Sequence, residues 1–270
     1  MWTLLRATHL APSLAVTTFA TLLALAAGRG RGSVWVAAAV LAGQFSIGWA
    51  NDWLDAGRDR AAGRTDKPLA TGALQVRTVR AAALAALSLT VPLSLASGLV
   101  AGVVHLLAVA LGWAYDLRFK ATPLSVLPYA GAFALLPVSV MLGLPAATPG
   151  RWWVAAGGGL LGAGAHFVNA LPDLDDDART GVRGLPQRLG SRWSVLAAAL
   201  LLGAGVLVVT LGPGGSLGGI RAASLGAGLA CVTGAVLAGL AGRERLAFPL
   251  AIATSACVVV ALLGLGPALA

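Results

Sequence analysis

Long apolar stretches recur along the chain, each closed by a short polar or charged segment. Nine of them are long enough to cross a hydrocarbon core as helices: about 10–28, 33–51, 79–97, 98–115, 124–142, 152–170, 193–211, 220–240 and 246–266. None alternates with period two, so spanning helices are predicted rather than a barrel. Only a break around Ser97 and Gly98 parts the third stretch from the fourth. Pro123, Pro128 and Pro137 predict kinks near or within the fifth. Trp152 and Trp153 open the sixth, as an interfacial belt does. The expectation is an all-α integral membrane protein forming a single polytopic domain over residues 1–270. An alternative for the first run is a signal peptide: Arg6, an apolar core, then Ala24, Leu25 and Ala26.

Composition supports the spans. Hydrophobic residues make up 58% of the chain and charged residues 11%, about half the charged share of a soluble domain. Mean hydropathy is +0.85. Cys231 and Cys257 lie inside apolar runs with no metal-binding spacing and read as small buried hydrophobes. The net charge of +9 does not imply nucleic acid, because the basic residues sit between the apolar runs. With a cytoplasmic N-terminus, 15 of the 19 basic residues fall on the inner face, leaving Arg29, Arg31, Arg151 and Arg221 outside. This is the positive-inside pattern, and it predicts a cell-membrane protein with its polar segments in the cytoplasm. All ten acidic residues fall on that same face, which the rule does not require.

Those acidic residues are clustered and repeated. At an offset of 118, Asn51, Asp55, Asp59, Gly63, Pro68 and Gly72 coincide with Asn169, Asp173, Asp177, Gly181, Pro186 and Gly190. The pseudo-repeat covers 51–72 and 169–190, and both copies open on the same membrane face. Spacing of four places Asn and Asp on one helical face, where like charges repel, so an undisturbed helix is disfavoured there. Asp173, Asp175, Asp176 and Asp177 are denser still. Carboxylates at this density suit Mg²⁺, which takes oxygen ligands and binds through a few carboxylates plus substrate phosphate. Two facing clusters can hold two ions around a diphosphate. Arg58, Arg60, Arg64, Lys67, Arg179 and Arg183 are candidate phosphate ligands, about half of which read equally well as solvated positive-inside residues. The three histidines are scattered. His9 and His105 read as packed residues, whereas His166, about two turns before Asp173, is the candidate to face the same cavity. An isoprenoid diphosphate matches such a site, with its tail among the spans and its head at the metal.

NDWLDAGRD, from Asn51 to Asp59, resembles the first motif of the UbiA family of intramembrane prenyltransferases, NDxxDxxxD. DLDDDARTG, from Asp173 to Gly181, is similar to the second motif, and YDLRFK, Tyr115 to Lys120, to the stretch ending the fourth helix. The resemblance implies nine transmembrane helices in a UbiA-type bundle with two Asp-rich cytoplasmic motif loops. It implies Mg²⁺-dependent transfer of a prenyl group from an isoprenoid diphosphate to an aromatic or other lipophilic acceptor. Asn51, Asp52, Asp55, Asp59, Asp173, Asp176 and Asp177 are the metal ligands it implies. By the same resemblance Tyr115 and Lys120 would lie near the diphosphate or the allylic cation, and Arg6, Arg60, Arg64, Lys67, Asn169 and Arg183 would join Asn51 in binding substrate. The chain departs from the family in carrying His9 where many members have Asn, and RTDKP at 64–68 where many read R-T-x-R-P. Both departures bear on the acceptor.

Three other readings compete. A terpene cyclase of the same family uses the same head site without an acceptor. CDP-alcohol phosphotransfer needs DxxDGxxAR, but Ala56 follows Asp55 here. A cation-binding transporter places its site near mid-membrane, whereas these clusters sit at the face. Acceptor, prenyl length and oligomeric state are not written in the motifs.

Overall fold

The computed structural model describes residues 2–146 and 150–269. Among them the secondary structure is helical, with no strand. A five-residue helix, α1 (Trp2–Arg6), precedes α2 (Leu10–Ala26), α3 (Ser33–Ala61), α4 (Val76–Leu95), α5 (Leu99–Leu117) and α6 (Val126–Leu142). Then follow α7 (Trp152–Ala170), the short α8 (Leu174–Thr180), α9 (Leu185–Leu211), α10 (Gly219–Leu240) and α11 (Glu244–Leu263). Seven segments are long and apolar enough to cross a membrane; α2 and α6 are apolar but shorter, at 17 residues each.

Every predicted span coincides with a helix, and two boundaries moved. The run expected to stop at residue 51 continues unbroken to Ala61, carrying the first aspartate motif inside α3 rather than in a loop. The like-charge repulsion that disfavours a helix there is relieved by Arg58 and Lys120, both paired with Asp55. Arg58 and Arg60 also sit in the last turn, where cations offset the helix dipole. The run expected from residue 193 starts at Leu185 and passes a bend at Gly190, whose φ of 78° is left-handed. The second motif does break the helix. Pro172 falls in a 3-10 turn, Leu171–Asp173, between α7 and α8.

Packing is sequential and then closes. α3 lies along α4, α6 along α7, α7 along α9 and α10 along α11, while α2 touches both α3 and α11. Glycines bring α7 close to two neighbours. A Cβ at Gly162 would meet the side chain of Phe133 on α6, and one at Gly164 would meet Leu202 on α9. Small residues of this kind let helices approach closely where lipid removes the hydrophobic drive between them. Leu202, Val206 and Val209 are buried in the resulting core, whereas Leu99, Leu107, Leu200 and Leu237 point outward, as lipid-facing side chains do.

Gly48 on α3 is the tightest contact near the site. A Cβ there would strike the backbone carbonyl of Thr8, in the α1–α2 turn. Gly48→Val is expected to lower stability by about 1–3 kcal/mol through overpacking. Gly203→Ala, where nothing lies within 4 Å, is expected to leave the melting temperature unchanged or slightly raised. Thermal denaturation in detergent checks both.

Candidate active site

Asn51, Asp55 and Asp59 recur every four residues along the last turns of α3 and therefore share a face. Asn51 donates its Nδ2 hydrogen to Asp116 Oδ1 on α5 at 2.9 Å. Asp55 accepts from Arg58 one turn on and from Lys120, which follows α5. Asp59 keeps one carboxylate oxygen buried with no partner. Asp52 lies one residue round from Asn51 and about two turns before Asp59, on nearly the same side of the helix as that residue, but it meets other partners. It is 2% exposed and accepts from Lys67 Nζ at 2.5 Å, with His9 Nε2 at 3.2 Å.

The second cluster comes from the broken end of α7. Asp173 ends the 3-10 turn, and Asp176 and Asp177 lie in α8. Gln187 on α9 donates to Asp177 Oδ2 at 2.7 Å. Asp176 pairs with Arg179. Arg64, just past α3, ties its own segment to the second cluster, donating from Nη1 to Asp173 Oδ1 and from Nε and Nη2 to both oxygens of Asp66, each at 2.9 Å. These bonds from the Arg64 guanidinium hold the Asp66 carboxyl down at about 2. A hollow of about 530 Å³ lies beside the clusters, walled by Gly57, Arg58, Ala61 and Ala62 of α3 and its cap and by Asp176, Arg179 and Thr180 of α8, so that of the clustered carboxylates Asp176 alone lines it.

The two copies share backbone chirality. Gly63 and Gly181 both have positive φ, as do Gly72 and Gly190. Arg64 N–H returns to the Asp59 carbonyl at 3.0 Å, and Val182 N–H to that of Asp177 at 2.9 Å. These are equivalent bonds at the offset of 118, and they close helix ends in which glycine supplies the left-handed turn.

Of the other predicted residues, Tyr115 is packed edge-on against Tyr129, with centroids 4.9 Å apart, and against His166 at 5.5 Å. His166 does lie beside this wall, buried, with Nε2 3.0 Å from Ser125 Oγ. Arg6, Asn169 and Arg183 are exposed. Arg60, also exposed, reaches the Leu69 carbonyl at 3.4 Å. Asp116, Ser125, Tyr129 and Gln187 went unmarked in the sequence. Asp116 had a usable signal, being a lone acid at the end of an apolar helix and inside the YDLRFK stretch. The others had none.

Among the described residues, no three acidic, imidazole or thiol groups gather as a ready-made metal site. The donors nonetheless suit a hard cation. They are all oxygens, Asp59 offers an unpartnered one, and Asp55 and Asp173 are held by Lys and Arg ammonium and guanidinium groups that play the cation's part.

This fold and site define an intramembrane enzyme class, and the sequence agrees. The profile of the UbiA prenyltransferase family matches residues 13–251, and the chain belongs to that family. No curated protein matches significantly. The fold is similar to that of a UbiA homolog from Aeropyrum pernix K1, at 21% identity and TM-score 0.77, covering 91% of this chain and 94% of that one. It is also similar to a UbiA homolog from Archaeoglobus fulgidus solved with GPP and Mg²⁺ (18% identity, TM-score 0.72, 96% and 98% covered). A digeranylgeranylglyceryl phosphate synthase matches at 16% identity and TM-score 0.68, covering 98% and 97%.

Ser125 Oγ accepts the Leu185 N–H at 2.9 Å while meeting His166. Ser125→Ala removes both partners from a fully buried position and is expected to cost about 1–3 kcal/mol, read as a lowered melting temperature. Arg64→Ala, at a half-exposed bridge, should cost under about 1 kcal/mol, and the loss should shrink further in high salt.

Proposed function

We propose that this protein transfers a prenyl group from an isoprenoid diphosphate to an aromatic or other lipophilic acceptor within the membrane, using Mg²⁺. The observation that carries the reading is that the two aspartate clusters come together at the end of the apolar bundle, where Arg64, just past the first, bonds Asp173 of the second, in a member of a prenyltransferase family. Binding of GPP with Mg²⁺, and of DMAPP with Mg²⁺, by the Archaeoglobus fulgidus homolog supports it.

Asn51, Asp55 and Asp59 on one side, and Asp173, Asp176 and Asp177 on the other, would hold two ions. Bound Mg²⁺ would stabilise the charge developing on the departing diphosphate. The chain's own residues do the rest. Lys120 and Arg58, now on Asp55, are free to turn to phosphate oxygens once a metal takes that carboxylate. Arg60, Arg64, Lys67 and Arg183, with Asn169 and Arg6, would supply further contacts to the substrate. Tyr115 and Tyr129, packed edge to face and partly buried, would form the aromatic wall that keeps water from the allylic cation. In this reading nine helices, including the shorter α2 and α6, span the bilayer with the motifs on the cytoplasmic side.

Asp55→Ala and Asp177→Ala are each expected to reduce turnover at least about a hundredfold, in line with removing a preorganised charge-stabilising group. The assay is mass spectrometry of products from a panel of prenyl diphosphates with Mg²⁺, with and without aromatic acceptors. Wild-type turnover in both variants would sink the two-cluster reading. A cyclic product formed without acceptor would replace transfer by cyclisation.

A further inference from the structure

Asp52 belongs to the first motif by sequence, yet its carboxylate is engaged by Lys67 and His9 rather than left open. Its counterpart in the second copy is Ala170, so the repeat gives it no partner across the site. Asp52 is buried against the α1–α2 turn, with Oδ1 shared between Lys67 and His9. Lys67 Nζ also lies 3.2 Å from His9 Nε2. Either His9 donates to Asp52 or it accepts from Lys67, and each arrangement ties the three groups together.

The segments bearing His9 and Lys67 are fixed by other contacts. Trp49 on α3 donates to the Leu4 carbonyl at 2.9 Å, and Ser13 donates to the Thr8 carbonyl at 2.9 Å. Ala7, Ala56, Leu69 and Val79 pack into a small core beneath them. His9 itself has φ of 52°, in the left-handed region that a non-glycine residue enters only when its surroundings hold it there.

A second carboxylate lies on the same side of α3. Asp59 follows Asp52 by about two turns and so shares its face, and it carries a buried oxygen with no partner. A lysine ammonium rides on a flexible four-carbon stem and pairs with the carboxylate left open to it. We propose that Asp52 is a positioning residue rather than a metal ligand: it detains Lys67, with His9, and so keeps Asp59 open for the cation. This rests on the metal reading above. His9 and Lys67 are also the two positions where the chain departs from the family pattern, so the detaining pair has changed at both members.

The test is Mn²⁺ binding to purified wild type and variants, followed by electron paramagnetic resonance, with melting curves to show that each is folded. Asp52→Asn frees Lys67 to fall on Asp59, and Mn²⁺ affinity should drop at least about tenfold. Adding Lys67→Met should restore it to within about threefold of wild type, because no ammonium is then left to occupy Asp59. Asp55→Asn should lose binding whatever stands at 67. If wild type binds Mn²⁺ and the D52N/K67M protein does not, Asp52 is a ligand and the inference is overturned alone. If wild type takes up no Mn²⁺, the metal reading itself fails.

Discussion

Buried carboxylates at the end of an apolar bundle must be met by positive charge, and that requirement organises the head of this protein. A carboxylate removed from water loses several kcal/mol of solvation unless a cation or several donors replace it. Here the compensating groups come from distant segments. Lys120 reaches Asp55 across 65 residues of sequence, and Lys67 reaches the buried Asp52 across 15; Arg64 adds a longer and more exposed link, to Asp173 across 109. Each such pair pulls a connecting segment over the bundle end. The segment after α3 is held by Arg64 and Lys67, the one after α5 by Lys120, and the motif of α8 by Arg64 and Gln187.

Below the head, the constraint is steric. α7 is central because its glycines admit α6 on one side and α9 on the other. Its C-terminal end therefore has little freedom, and the break at Pro172 sets the second cluster opposite the first. The aromatic wall of Tyr115, Tyr129 and His166 joins α5, α6 and α7 directly beneath the carboxylates. Packing and chemistry meet at that level.

Hydropathy made the spans legible. The sixth, expected at 152–170, coincides with α7, and the break at Ser97 and Gly98 is where α4 gives way to α5. The motif residues stood out because Asp is rare in this chain and recurs at fixed spacing. What periodicity could not show was the continuation of α3 through its own charges, because the neutralising Lys120 is distant in sequence. The same limit hid Ser125, Tyr129 and Gln187. Each is one polar or aromatic residue in an ordinary context, and its role exists only once Leu185, Tyr115 or Asp177 is brought beside it. The second copy announced its glycines but not their shared chirality.

The way α3 and α8 end has an electrical consequence. Each helix ends in partial negative charge on its last carbonyls. Arg58 and Arg60 in the last turn of α3, and Arg179 in that of α8, set cations against it. Arg58 and Arg179 also line the hollow between the two helix ends, with Asp176 the one acid beside them. The guanidinium groups that quiet the helix ends are therefore the same ones that face outward there, so the two helices carry their own counter-charge to the surface.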